Sequence, residues 1–172
     1  MSSPDFLARL YDDHAQALFA FLLNLTRDEV DAKDLLQDLF AKLAKQPGLL
    51  DGVREERAFL IRLVHNLAID LARRRRTREK NYEKLAEETA SLFAPAADPD
   101  EQAFRAALME ALGELPIEQR AVIHLKLWEG LTFEAIAETL DLSPNTAASR
   151  YQYAIAKLAS RLANMQREVH CD

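Results

Sequence analysis

A single cysteine, Cys171, among 172 residues excludes any disulfide within the chain and with it a small cystine-stapled scaffold. Glycine and proline are scarce, at four and six residues. No glycines cluster into a phosphate-cradling loop, and no run alternates apolar with polar residues over the length of a strand. The four histidines, His14, His65, His124 and His170, have no metal-ligand spacing and read as surface or packing residues, so no metal or other cofactor is expected. The terminal His170-Cys171-Asp172 has no companion ligands and reads as a frayed tail. Neither a nucleophile elbow nor a paired-carboxylate site is present, so no enzymatic activity is expected. The longest apolar stretch, Leu18 to Leu23, falls far short of the roughly 20 residues that span a bilayer. The N-terminal MSSPDFLARLYDDH lacks a basic start followed by an apolar block, and the expectation is a soluble cytoplasmic protein without membrane contact.

What remains is rich in leucine, alanine, glutamate and arginine, and 49% of it is hydrophobic, enough for helical cores. The pattern predicts an all-α fold. One amphipathic segment carries Leu7, Tyr11, Leu18, Leu22 and Leu25 and stops at Thr26-Arg27-Asp28. A second, from about Glu29 to Lys45, carries Ala32, Leu35, Leu36, Leu39 and Leu43. A third places Leu60, Val64, Leu67 and Leu71 on one face and runs into Arg73, Arg74, Arg75 and Arg76. Together they predict a three- or four-helix bundle. Gln46-Pro47-Gly48 breaks the pattern and leaves a loop of about ten residues, Pro47 to Glu56, on which a reading element could sit.

Charge is unevenly spread. The net charge of −6 argues against indiscriminate coating of nucleic acid, yet residues 54–80 hold nine basic and four acidic side chains, a net +5. Four consecutive arginines surround a helix on all sides. Complementing a helix dipole takes one or two cations, so a polyphosphate backbone is the better partner for this island. Downstream, Thr89 to Ala103 combines prolines, small residues and acids without a sustained period, as a flexible acidic linker would.

The last third reads as a helix-turn-helix with a long exit helix. Phe133, Ile136, Ala137 and Leu140 share one helical face, Asp141-Leu142 interrupts it, and Ser143-Pro144 can cap and open the next helix. That helix buries Ala147, Tyr151, Ala154, Leu158 and Leu162, and it turns Asn145, Ala148, Ser149, Gln152 and Tyr153 outward, where base edges of a major groove would lie. Arg150 and Lys157 are candidate phosphate partners.

In this order the motifs resemble, over nearly the whole chain, the extracytoplasmic-function group of bacterial RNA polymerase sigma factors. Asp34-Leu35-Leu36-Gln37-Asp38-Leu39-Phe40 is similar to the family's helix that docks on the clamp helices of the polymerase β′ subunit. Arg57-Ala58-Phe59-Leu60 through Asn66-Leu67-Ala68-Ile69-Asp70 to Arg76 is similar to the segment that melts and holds the minus-ten promoter element. Leu115-Pro116 through Arg120, then Glu129-Gly130-Leu131-Thr132 and Ile136-Ala137, is similar to the module that reads the minus-thirty-five element and meets the β flap.

The resemblance implies a domain at 1–82, a linker at 83–107 and a helix-turn-helix domain at 108–172. It implies polymerase contacts at Asp34, Leu36, Gln37, Asp38 and Phe40, and minus-ten contacts at Asn66, Asp70, Arg73, Arg74, Arg75 and Arg76, with much of the base pocket supplied by the loop Pro47 to Glu56. Minus-thirty-five contacts are expected at Thr132, Ser143, Asn145, Thr146, Ser149, Arg150, Gln152, Tyr153 and Lys157. The chain departs from the family at Ala148, Tyr153 and Ile155, where basic residues are usual, which predicts weaker upstream contact. The implied protein is a dissociable sigma factor, monomeric when free, that binds core RNA polymerase and promoter DNA and is held in check by an anti-sigma partner. The alternative is a free-standing helix-turn-helix regulator whose N-terminal bundle dimerises or binds an effector.

Overall fold

The reversal at Thr26-Arg27-Asp28 sets the geometry of the first half of the chain. Arg27 adopts the left-handed conformation at φ 56°, and its amide closes onto the Leu23 carbonyl at 2.8 Å. Asp28 then takes the amide of Asp31 on its side chain at 3.1 Å, capping the next helix. In the computed structural model, which describes residues 4–78 and 98–169, helix α1 (Pro4–Thr26) therefore folds back on α2 (Glu29–Lys45), whose bounds match the sequence expectation. A short 3₁₀ turn, Pro47–Leu50, and the left-handed Gly52 (φ 77°) lead into α3 (Glu56–Arg78). The expected loop thus ends before Glu56, which is already helical.

Helix α1 packs on both α2 and α3, and these in turn touch each other. Their core is built from Leu10, Leu18, Phe21 and Leu22 of α1, Leu35, Leu39 and Leu43 of α2, and Leu60, Ile61, Val64 and Ala68 of α3. Two stripe assignments need correction. Tyr11 is 54% exposed, its ring set 5.2 Å from that of Phe40 outside the core, and Leu10 takes the buried position instead. On α3 the buried face is completed by Ile61 and Ala68, while Leu67 and Leu71 are half-buried.

The chain divides into two compact units, residues 1–86 and 87–172. The second contains α4 (Pro99–Glu114), α5 (Ile117–Leu127), α6 (Phe133–Leu140) and α7 (Pro144–Val169). Residues 99–107, read from the sequence as linker, are helical because Asp98 caps the amide of Asp100 at 3.0 Å and Pro99 opens the first turn. The remainder of that linker assignment, 83–97, and the tail with Cys171 lie outside the described residues. Met109, Leu112, Leu115, Ile123, Ala154 and Leu158 form the core of the second unit, with Tyr151 half-buried against it. His124 is buried at 3% exposure and stacks on Trp128, ring centres 5.3 Å apart.

Among the described residues there is no strand, no helix long and apolar enough to cross a membrane, and no cluster of side chains arranged to hold a metal ion.

Candidate functional site

Three surfaces carry the chemistry. The first is the outer face of α2. Leu35, Leu39 and Leu43 point inward, so the i, i+4 spacing puts Asp34 and Asp38 together on the outer side with Gln37 beside them, all exposed. Val30 extends this stripe at 63% exposure, and the Tyr11–Phe40 pair flanks it. Leu36 belongs elsewhere. At 8% exposure it faces the bundle core, whereas Phe40 lies at the rim beside Tyr11.

The second surface is α3. Asn66, Asp70 and Arg73 succeed one another at i, i+4 and i+7 and are exposed; Arg74 and Arg76 flank them, also exposed. Arg74 Nε donates to the carbonyl of Asp70 at 3.4 Å, leaving most of its guanidinium edge outward. Arg62, one turn before Asn66 on the same face, is half-buried and extends the row; helical spacing alone would have found it.

Arg75 is the exception. It lies at the spacing of Leu60, Val64 and Ala68, so the inward stripe carries it back onto the bundle where the apolar core has ended. There it forks onto Asp31 in the first turn of α2, its Nη2 donating to Oδ1 at 2.7 Å and its Nη1 to Oδ2. The Asp31 side chain is only 12% exposed and sits in the first turn of α2. Arg75, expected among the minus-ten contacts, is therefore an interhelical tie.

The opposite end of α3 has a matching tie. Arg9 of α1 grips Glu56 at 2.9 and 3.2 Å, also reaching Asp13 at 3.2 Å, and His14 Nε2 approaches the same carboxylate at 3.5 Å. Hydrogen bonding to the Arg9 guanidinium, more than the burial that opposes it, holds the Glu56 carboxyl below the usual range. A carboxyl with a depressed folded pKa stabilises the protein above the ordinary glutamate value of about 4.3, and the contribution is lost as the pH falls through the folded value. Circular-dichroism melts should accordingly show Glu56→Gln less stable than wild type at pH 7, with the gap closing below about pH 4.3. Solvent screening keeps the gap modest, since the Glu56 side chain is one-third exposed.

The third surface is the helix-turn-helix of α6 and α7. Thr132 caps α6 by accepting from the Ala135 amide at 3.1 Å. Asp141 takes the left-handed conformation (φ 58°, ψ 53°), and the amide of Leu142 returns to the Ala137 carbonyl at 2.8 Å, which ends α6 sharply. Ser143 accepts from the Thr146 amide at 3.1 Å and shares a 2.8 Å hydroxyl contact with Thr146, fixing the first turn of α7. Ala147, Ala154 and Leu158 are buried, and Asn145, Ser149, Gln152 and Tyr153 are exposed, Tyr153 at 71%. Arg150 is half-buried beside them.

Lys157 departs from expectation: its Nζ donates to the Glu114 carbonyl at 3.0 Å. It joins Arg161, which pairs with Glu114 at 2.9 Å, and Arg120, which donates to the Leu115 carbonyl at 2.9 Å, in holding the negative end of α4. Lys157 is thus bonded within the unit while remaining exposed, and Arg150 lies nearer the first turn of α7. Ser143→Ala should lower the stability of the second unit by about 1 kcal/mol. The single tryptophan, Trp128, lies in this unit, and its fluorescence in a urea titration reads that loss directly.

With these surfaces in place, comparison with known proteins is decisive. Residues 10–78 match the model of sigma-70 region 2, and residues 105–158 match sigma-70, region 4. The ECF RNA polymerase sigma factor SigL of Mycobacterium tuberculosis is 30% identical over 158 residues, which cover 91% of this chain and 88% of that protein. The chain belongs to the ECF RNA polymerase sigma factors. The RNA polymerase sigma-E factor of Streptomyces coelicolor is 34% identical over 147 residues, 85% of this chain and 80% of that one. Among solved structures, the sigma factor RpoE in complex with the anti-sigma factor NepR from Bartonella quintana superposes with a TM-score of 0.72 at 24% identity, covering 94% of this chain and 98% of that one. CnrH in complex with the cytosolic domain of CnrY gives 0.69 at 24% identity, covering 95% and 91%. The region 2 match takes in α2 and α3, and the region 4 match takes in α5, α6 and most of α7. The protein is thus a dissociable sigma factor that directs RNA polymerase to promoters.

Proposed function

We propose that this sigma factor docks on the β′ clamp helices of core RNA polymerase through Asp34, Gln37, Asp38 and Phe40, with Tyr11 widening the apolar flank. Its α3 then holds the opened minus-ten strand along Asn66, Asp70, Arg73, Arg74 and Arg76. Melting needs no catalytic group, because capture of an extruded base offsets an unstacking cost of a few kcal/mol. The protein is accordingly not an enzyme and needs no cofactor. The first turn of α7 reads the minus-thirty-five element through Asn145, Ser149, Gln152 and Tyr153, with Arg150 on phosphate and the second unit lying near the β flap. Thr132, Ser143 and Thr146 shape that surface by capping.

The carrying observation is the pairing, within the first unit, of an acidic exposed face on α2 with an amide, a carboxylate and arginines in sequence on α3. Control in trans by an anti-sigma partner is part of the proposal, since a structural relative is a sigma factor bound to one.

Size-exclusion chromatography tests the docking step. The chain should elute as a monomer alone and co-elute with core polymerase. A dimer that ignores polymerase and shifts palindromic duplex DNA would instead support a free-standing helix-turn-helix regulator.

A further inference from the structure

Helix α3 is tied at both ends by the same device. Nineteen residues, about 28 Å of helix, separate Glu56 from Arg75. At the first end Arg9 of α1 forks onto Glu56; at the second, Arg75 forks onto Asp31 of α2. A guanidinium presenting two parallel N–H donors to one carboxylate fixes direction as well as distance, which a single-point lysine contact cannot do. Between the ties, the apolar face of Leu60, Ile61, Val64 and Ala68 holds the helix to the bundle. Beyond Ala68 the core thins, and the arginines needed on the outer face lie where packing alone controls them least.

We infer that Arg9, Glu56, Asp31 and Arg75 are positioning residues that set the rotation and axial register of α3, so that Asn66, Asp70 and the outward arginines meet the separated strand already aligned. The inference rests on the reading of α3 as the strand-holding helix. It assigns work to four side chains that do not themselves touch DNA. It also accounts for one arginine of the four turning back onto the bundle: Arg75, its side chain 42% exposed, pairs with Asp31, while Arg73, Arg74 and Arg76 are exposed. The tie at Asp31 lies one turn before Asp34, so the register of α3 is referred directly to the helix proposed to sit on polymerase.

The test separates strand opening from docking. Holoenzymes are assembled with wild type, Asp31→Asn, Glu56→Gln and Asp31→Glu, core affinity is measured by titration, and opening is followed by permanganate reactivity of promoter thymines at saturating holoenzyme. Asp31→Asn and Glu56→Gln should each slow opening about tenfold or more, the usual result of misplacing a binding group by a fraction of an ångström to an ångström. Core affinity should stay within about twofold of wild type. Asp31→Glu, which keeps a carboxylate for Arg75, should recover most of the rate.

Opening at the wild-type rate in both neutral variants would overturn the inference alone. Parallel loss of core affinity and opening would reduce the ties to folding contacts and overturn it as well. Faster opening in Asp31→Asn would mark Arg75 as a DNA contact held in reserve and would overturn it too. A wild-type holoenzyme that leaves every thymine unreactive would overturn the reading of α3 beneath it, and the inference with it.

Discussion

Replacing Arg73, Arg74 and Arg76 together by glutamine should weaken holoenzyme binding to a single-stranded minus-ten oligonucleotide by about fiftyfold at 0.15 M salt. The figure follows from counterion release: each phosphate neutralised on a single strand contributes a slope of about 0.7 in log affinity against log salt, and three contacts make about 2. The three side chains are exposed, and none is part of the apolar core, so the substitutions remove charge without opening a cavity. Fluorescence anisotropy across a salt series reads both numbers at once, and the slope is the more diagnostic. Arg75→Gln should behave differently, leaving the slope nearly unchanged while lowering the stability of the first unit, because its guanidinium is engaged with Asp31.

The second large effect is at the docking face. Asp34 and Asp38 are exposed one turn apart on α2, and reversing both to lysine should leave the melting temperature close to wild type, since exposed substitutions away from caps and cores change stability by no more than about 0.5 kcal/mol. Against a basic partner surface the same change turns attraction into like-charge contact, which costs several kcal/mol. Core polymerase should be bound at least about a hundredfold more weakly in a competition titration. Leu36→Ala, by contrast, should act through the fold, lowering stability by about 2 to 4 kcal/mol with its docking loss following from that.

Much of this was legible in the sequence because local rules and the fold agree. The cap at Ser143, the break at Asp141-Leu142 and the inward leucines of α2 are all set within a few residues of themselves, and periodicity or capping chemistry finds them. What escaped was settled between helices. Tyr11 sits at core spacing, yet its phenol finds Phe40 at the bundle rim while Leu10 fills the interior. Arg75 and Lys157 look like two more cations on basic or DNA-facing helices, but each is claimed by a distant group, Asp31 or the Glu114 carbonyl, that sequence distance conceals.

Arg75 was within reach of the sequence, since the inward stripe of α3 extends to it; Lys157 was not. Residues 99–107 were lost to composition, their acids and proline reading as linker when Asp98-Pro99 is a helix start. Among the cations of α7, Arg150 is the one nearest its first turn.

The central claim is that one chain with two helical units gives core RNA polymerase its promoter choice. In vitro transcription tests it most directly: core polymerase free of other sigma factors, a library of random promoter sequences, and sequencing of the transcripts made with and without this protein. Transcripts that appear only when the protein is present, and that share two spaced elements upstream of their starts, are the predicted result. No protein-dependent transcript, with tight duplex DNA binding by the protein in the absence of polymerase, would contradict it.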